Sequence, residues 1–217
     1  MRTRGRGKEQ KGKRGKDKPC KIYIFTEGDT EEIYLKHYSN KKKGIEVIPV
    51  SPRHTDAVGI VKYAKNYIDD KDNGVDVKLG DRCYCVFDSD PKSNPNISEA
   101  FDLIRGYEKK GLCCIFSNPS FEIWFIMHYK NAPYNLTAEQ AKAEIKKLVK
   151  KDAPDYKETT DIFNILADKQ EIACRRALLL HKAQSEVHEK VLSHECNPYT
   201  NIFEFIEYIK GVKKDIR

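Results

Sequence analysis

The chain has 217 residues, of which 39% are hydrophobic and 34% are charged, and its formal net charge is +7. This length fits one domain, or one domain with an appendage, and allows a sizeable core. No run approaches the roughly 20 apolar residues of a membrane span, and no apolar segment of a secretory signal follows the basic N-terminus. We therefore expect a cytoplasmic protein without a membrane partner.

The N-terminal segment carries the whole net charge. Residues 1–18 hold nine basic side chains against Glu9 and Asp17, so the rest of the chain is neutral. Interleaved glycines, and the lack of apolar residues after Met1, predict a disordered basic arm over residues 1–19. We interpret it as an arm that binds nucleic acid, with a solubilising tail as the alternative. Its basic side chains are Arg2, Arg4, Arg6, Lys8, Lys11, Lys13, Arg14, Lys16 and Lys18.

The first predicted strand ends in a carboxylate. Residues 22–26 are β-branched or aromatic and uncharged, which is typical of a buried strand. Glu27 and Gly28 end this strand, and a helix with acids in its first turn opens at Asp29. Open α/β sheets bind ligands at the carboxyl ends of their strands, which makes Glu27 a candidate metal ligand or general base. A strand-end charge in water is the alternative.

The second predicted strand, residues 45–50, is followed by a loop that contains Arg53 and His54. In a parallel sheet this loop lies on the same edge as Glu27. The two side chains are candidates for contact with a phosphate of nucleic acid, and a solvated loop is an equal alternative.

The third predicted strand, residues 82–87, follows a helix over residues 57–68 and ends in Asp88 and Asp90. If the first and third strands are parallel neighbours, Glu27, Asp88 and Asp90 converge and repel one another unless a cation lies among them. Mg²⁺ suits such hard oxygen ligands best, with Mn²⁺ as an alternative. Asp90 has a second interpretation, because an Asp before Pro also caps ordinary turns.

The fourth predicted strand, residues 112–116, leads into a helix over residues 120–129 that is apolar nearly all round. Such a helix must be buried, and Glu122 interrupts it. Carboxylates are rarely buried without a partner, so Glu122 is a further candidate for a functional acid. Asn118 is expected to cap this helix or to orient Glu122.

The alternation of strands and helices predicts an α/β core over residues 20–130, with a mostly parallel, four-stranded sheet flanked by helices. From residue 137 the pattern indicates helices only, which gives a helical C-terminal extension over residues 131–217, packed on the core. The seven cysteines form no Cys-x-x-Cys pair, so buried, reduced thiols are favoured over a zinc site.

Several motifs resemble known families. Glu-Gly after the first strand with Asp-x-Asp after a later one is similar to the Toprim pattern of topoisomerases, primases and certain nucleases. Four blocks together resemble the RloB-like proteins, which are Toprim-related components of bacterial phage-defence and abortive-infection loci. The blocks are TEGDTEEIYLKHY, VFDSDP, SNPSFEIWFIMHY and NPYTNIFEFIEYI.

This resemblance implies a Toprim-like core, a divalent metal, and antiviral defence beside an ATPase partner. By position it implies that Glu27, Asp88 and Asp90 are the metal and catalytic acids, with Glu122 facing the same pocket. We therefore expect a metal-dependent nuclease that acts on RNA, such as tRNA, or on DNA.

Two alternatives belong to other classes of protein. One is a non-catalytic subunit that binds nucleic acid or a nucleotide and works with the ATPase. The other is a basic nucleic-acid-binding protein without catalysis. The choice between RNA and DNA and the possibility of a homo-oligomer stay open.

Overall fold

The computed structural model describes residues 19–52 and 56–214. Within them it is an α/β fold in which one sheet is flanked by helices on both faces. The strands are β1 (Cys20–Thr26), β2 (Ile45–Pro49), β3 (Arg82–Asp88), β4 (Leu112–Asn118) and β5 (Tyr199–Thr200). The α-helices are α1 (Asp29–Lys36), α2 (Ala57–Asp69), α3 (Ile97–Arg105), α4 (Glu122–Met127), α5 (Ala138–Val149), α6 (Phe163–Leu166), α7 (Gln170–Val187) and α8 (Ile202–Lys214).

The sheet has five strands in the order β2-β1-β3-β4-β5. The first four are parallel, as the alternating pattern predicted, whereas β5 runs antiparallel to β4. The predictions of four strands, and of helices only after residue 137, are therefore wrong. A strand of two residues shows no periodicity, and the Asn-Pro before it indicates a turn.

Each face of the sheet covers its own hydrophobic core. Alternate residues of β1 divide between the two: Ile22 and Ile24 pack with α1, α4 and α8, whereas Tyr23 and Phe25 pack with α2 and α3. This period of two is what a strand with helices on both faces requires. The central strands are consequently fixed on both sides, and the polar residues that follow them stand on a rigid edge.

The cysteines fit the expectation of buried thiols. All seven are free, and five of them are buried. Burial raises the pKa of Cys85 in β3 well above its ordinary value, so this thiol stays protonated.

Gly111 ends the segment between α3 and β4, and its backbone has a φ of 82°. The turn is tight as well as left-handed, because a Cβ at this position would lie 3.1 Å from the Asp81 carbonyl oxygen. Among the residues that the structure describes, no helix is long and apolar enough to cross a membrane.

Candidate active site

Three adjacent strands end at one edge of the sheet, and each delivers an acidic side chain. Thr26 of β1 is in register with Val86 of β3, so Glu27 and Asp88 emerge side by side. Asp88 is in turn in register with Ser117 of β4, and β4 leads directly into α4, which begins at Glu122. The topology thus brings Glu27, Asp88 and Glu122 to the same edge.

Glu27 is held in place by an asparagine. Its Oε1 accepts a hydrogen bond of 2.9 Å from Asn94 Nδ2, which also donates to the Asp88 carbonyl oxygen at 2.9 Å. Asn94 Oδ1 accepts from the Ala57 backbone amide at the start of α2. One buried amide therefore ties together β1, β3 and α2. The sequence analysis did not single out Asn94.

Burial raises the pKa of Glu27 to about 7, against the lowering effect of the Asn94 hydrogen bond. The charges of Glu31, Asp56 and Asp90 raise this pKa as well. A carboxyl group that titrates near neutral pH can both lose and accept a proton under ordinary conditions.

Glu31 is the acid that the sequence analysis missed. It lies in α1, four residues after Glu27, and only 7% of it is exposed. Its Oε2 is buried without a hydrogen-bond partner, and burial raises its pKa to about 7. The sequence analysis counted Glu31 only among the acids in the first turn of a helix. No local pattern marks it, because Glu27 precedes α1 and the helical spacing of four therefore does not relate the two acids.

Asp88 lies at the centre of the acidic group. A small part of the residue is accessible, but protein encloses its carboxylate. This desolvation raises the pKa of Asp88 well above its ordinary value, and so do the charges of Glu31, Glu122 and Glu27. A hydrogen bond from the Phe121 backbone amide lowers the pKa of Asp88 and so partly opposes these effects.

Glu122 is 3% exposed, as its position in an apolar helix predicted, and its charge acts on Glu31 and Asp88. Ser120 Oγ donates a hydrogen bond of 2.6 Å to its Oε2. Burial raises the pKa of Glu122, and the Ser120 hydrogen bond opposes this. Asn118 does not orient it: Asn118 Nδ2 donates instead to the carbonyl oxygen of His194 at 3.0 Å.

Asp90 differs from the other acids. Its carboxylate accepts hydrogen bonds from the Lys92 backbone amide at 3.0 Å and from Ser93 Oγ at 2.7 Å. These bonds lower its pKa below the ordinary value. The Asp-Pro turn predicted as the second interpretation is therefore present, although the charge of Asp90 still reaches Glu27.

We define the acidic cluster as Glu27, Glu31, Asp88 and Glu122. Lys142 of α5 is the cation whose charge lowers the pKa of both Glu31 and Glu122. Its own ammonium group lies 3.1 Å from Glu158 Oε2, outside the cluster.

The acidic cluster fits a divalent cation by its chemistry. It offers hard oxygen ligands only, and it contains the unpartnered Glu31 Oε2. Glu122 raises the pKa of Glu31, and three glutamates raise the pKa of Asp88, effects that a bound cation would oppose. Within the described ranges, no group of three or more His, Cys, Asp or Glu side chains is placed so that it could hold a metal ion.

The predicted nucleic-acid contacts lie outside the described residues. They comprise the arm, with Arg2, Arg4, Arg6, Lys8, Lys11, Lys13, Arg14, Lys16 and Lys18, and the loop residues Arg53 and His54.

The fold and this edge define a class: an α/β protein whose central parallel strands deliver carboxylates to a single site. Comparison with known families then identifies the chain more closely. It matches the family described as RloB-like protein over residues 22–209, which is most of its length. The chain belongs to the RloB-like family, as its four sequence blocks predicted. No curated protein and no solved structure matches it significantly.

Proposed function

We propose that this protein is a metal-dependent nuclease whose active site is the acidic cluster together with Asp90. The observation that supports this most directly is the convergence of Glu27, Glu31 and Asp88 at the carboxyl edge of the sheet, where Glu31 raises the pKa of Glu27 and both glutamates raise the pKa of Asp88. Such mutual repulsion destabilises the metal-free fold, and proteins retain it where it serves a function. The Toprim-like pattern around these acids is the second support.

Glu27 and Asp88 would hold the cation. Asp90, the third ligand that the sequence predicted, would contribute less, because the Lys92 amide and Ser93 already hold its carboxylate. When bound, Mg²⁺ or Mn²⁺ would polarise a phosphate of the substrate and stabilise the leaving oxygen. Asn94 keeps the Glu27 carboxylate beside Asp88 through its two hydrogen bonds. The general base that accepts the proton of an attacking water would be Glu27, or Glu122 where the cation holds the Glu27 carboxylate.

Glu122 and Glu31 complete the site from the helical side. Ser120 fixes one oxygen of Glu122, while Glu31 Oε2 stays without a partner in the described structure. We propose that Glu122 is the second acid available for proton transfer, and that Glu31 contributes a further oxygen toward the cation.

The biological setting that we propose is bacterial antiviral defence with an ATPase partner, on the basis of the family resemblance. RNA and DNA are both candidate substrates. The non-catalytic alternatives differ in one respect that can be measured, because they predict that the acids matter little for any cleavage of nucleic acid.

A cleavage assay tests the proposal. The full chain would be incubated with labelled RNA and DNA in Mg²⁺, in Mn²⁺ and in EDTA, beside Glu27→Gln and Asp88→Asn. We expect metal-dependent cleavage that falls at least about a hundredfold in both variants. Glu32→Gln is the matched control, because Glu32 lies on α1 beside Glu31 but pairs with Lys36. Folded Glu27 and Asp88 variants that cleave like the parent would refute the assignment.

A further inference from the structure

A cavity of about 470 Å³ opens beside the acidic cluster, and its charge has the opposite sign. We name it the lysine pocket, after three of the residues that line it. The lining residues are Lys142, Lys146, Tyr156, Lys157, Glu158 and Thr159. Three ammonium groups face one carboxylate, which leaves a surplus of two positive charges. Hydroxyl groups of a tyrosine and a threonine add neutral donors.

The lysine pocket and the acidic cluster share a wall. Lys142 lines the pocket, and its charge also acts on Glu31 and Glu122. A second link joins α1, which carries Glu31, to the pocket residue Glu158: Thr30 Oγ1 donates a hydrogen bond of 3.1 Å to the Glu158 carbonyl oxygen. A ligand in the pocket would therefore lie next to whatever the acidic cluster holds.

The hydroxyl group of Tyr156 provides a second, independent observation in favour of a binding site. The residue is only 5% exposed, and its hydroxyl group is buried without a hydrogen-bond partner. Buried hydroxyl groups are normally satisfied, because an unmade hydrogen bond costs free energy. Because Tyr156 also lines the lysine pocket, we infer that an acceptor bound in the pocket is the partner of this donor.

We propose that the lysine pocket binds a phosphate group of the nucleic-acid backbone, adjacent to the phosphate at the acidic cluster. Lysine is a common phosphate ligand, and a phosphate oxygen is the acceptor that the Tyr156 hydroxyl lacks. Glu158 holds Lys142 at one side of the pocket, which leaves Lys146 and Lys157 as its exposed cations. The choice of nucleic acid as the ligand rests on the proposed function.

The experiment measures binding without metal, so that it does not depend on cleavage. Fluorescence anisotropy would follow labelled single-stranded RNA and DNA binding to the full chain in EDTA at several salt concentrations. Lys146→Glu is compared with Lys147→Glu. Lys147 is the next residue of α5, and it lies 3.8 Å from Glu144 and not in the lysine pocket. Both variants change the net charge equally, so long-range attraction is matched.

We expect Lys146→Glu to weaken binding at least about tenfold, with the slope of log K against log salt reduced by about 0.7 for one lost phosphate contact. Lys147→Glu should stay within about twofold of the parent. Tyr156→Phe should bind several times more weakly without a lower melting temperature, because it loses no hydrogen bond within the protein. Equal losses in the two lysine variants, or parental affinity in Tyr156→Phe, would overturn the proposal.

A second arm identifies the source of the phosphate. Inorganic phosphate and AMP would be titrated into the parent and into Lys146→Glu by calorimetry. If they bind only to the parent while both proteins bind the oligonucleotide equally, the ligand is a small phosphate compound and the backbone assignment is wrong. If the proposed nuclease function is wrong but the lysine pocket does bind phosphate, the results differ from these. In that case the Glu27 and Asp88 variants cleave like the parent, and the difference between Lys146→Glu and Lys147→Glu in EDTA persists.

Discussion

The two ends of β3 carry buried aspartates in opposite situations. Asp81, just before the strand, is fully buried, and each of its oxygens accepts a backbone hydrogen bond: Oδ1 from Lys21 at 2.8 Å and Oδ2 from Asp76 at 2.9 Å. Asp88, at the other end, is surrounded by Glu27, Glu31 and Glu122. The Asp81 carboxylate thus has hydrogen-bond donors for both of its oxygens, whereas the Asp88 carboxylate is repelled by three neighbouring acids.

This difference separates a structural carboxylate from a functional one. Backbone amides that point at Asp81 compensate its desolvation and tie β1 and the preceding turn to β3. The acids around Asp88 add to its desolvation, so the fold gains nothing from its charge. Protein encloses both carboxylates, and what distinguishes them is the pair of backbone amides at Asp81 and the three acids around Asp88.

The largest effect that we predict is on the free energy of unfolding when Asp81 or Asp88 is replaced. Asp81→Ala leaves two backbone amides buried without acceptors and should lower the free energy of unfolding by about 2 to 5 kcal/mol. Asp88→Asn should leave it unchanged or raise it. The raised pKa of Asp88 means that its ionisation destabilises the fold progressively as pH rises above the unfolded-state value. The gain from Asn should therefore grow with pH.

Urea unfolding of both variants and the parent at pH 6 and pH 8 measures this contrast. Asp155→Asn, at an exposed position, is the control for loss of one acid and should change stability little. A strongly destabilised Asp88→Asn would mean that its carboxylate, like that of Asp81, is part of the scaffold.

The next effect is the pH dependence of cation binding. Burial raises the pKa of both Glu27 and Glu31 to about 7, and a cation requires the ionised forms. Between pH 6 and pH 8 each group goes from mostly protonated to mostly ionised. Affinity for Mn²⁺ should therefore rise about tenfold for each group that acts as a ligand.

Calorimetry in two buffers with different heats of ionisation measures both the affinity and the protons released on binding. Release from Glu27 and Glu31 should be largest near pH 6 and small at pH 8. In Glu27→Gln one of the two titrations is lost, so the pH dependence should become shallower. An affinity that is constant from pH 6 to pH 8 would exclude both glutamates as ligands.

Part of this comparison was accessible from the sequence. The uncharged runs before Glu27 and Asp88 predicted two buried strands of a mostly parallel sheet, and an acid in the apolar α4 marked Glu122, because these signals are local. That the two strands are neighbours was only a condition at that stage, and the sheet order meets it. Asn94 and Glu31 were missed because their roles arise from tertiary contacts that a loop and a helix start do not reveal. β5 was missed for a related reason: two residues become a strand only through pairing with Ser117 and Asn118 of β4.

The next, smaller effect that we predict is that of replacing Asn94, the neutral side chain that donates a hydrogen bond to Glu27. Asn94→Ala removes its hydrogen bonds to Glu27, to the Asp88 carbonyl oxygen and from the Ala57 amide. We expect a loss of about 1 to 3 kcal/mol in the free energy of unfolding. The Asn94 bond lowers the pKa of Glu27, so without it this pKa should rise and cation binding should require a higher pH.

Urea unfolding and the same calorimetric pH series test Asn94→Ala, and Asn96→Ala is the matched control from the exposed part of the loop. If Asn94→Ala is destabilised but binds the cation with the parental pH dependence, Asn94 supports the loop without tuning Glu27.

The smallest effect should come from Asp90, which tests whether both aspartates of the Asp-x-Asp pair serve the cation equally. Asp90 is stabilised in its ionised form by Lys92 and Ser93, so a cation gains less from it than from Asp88. We expect Asp90→Asn to weaken Mn²⁺ binding up to about fivefold, as for an exposed charge. Ser93→Ala, which removes the 2.7 Å hydrogen bond but keeps the charge, is the control and should not weaken it. A loss in Asp90→Asn as large as in Asp88→Asn would make Asp90 a direct ligand. The turn at Lys92 and Ser93 would then have to open when the cation binds, and Ser93→Ala should bind it more tightly than the parent.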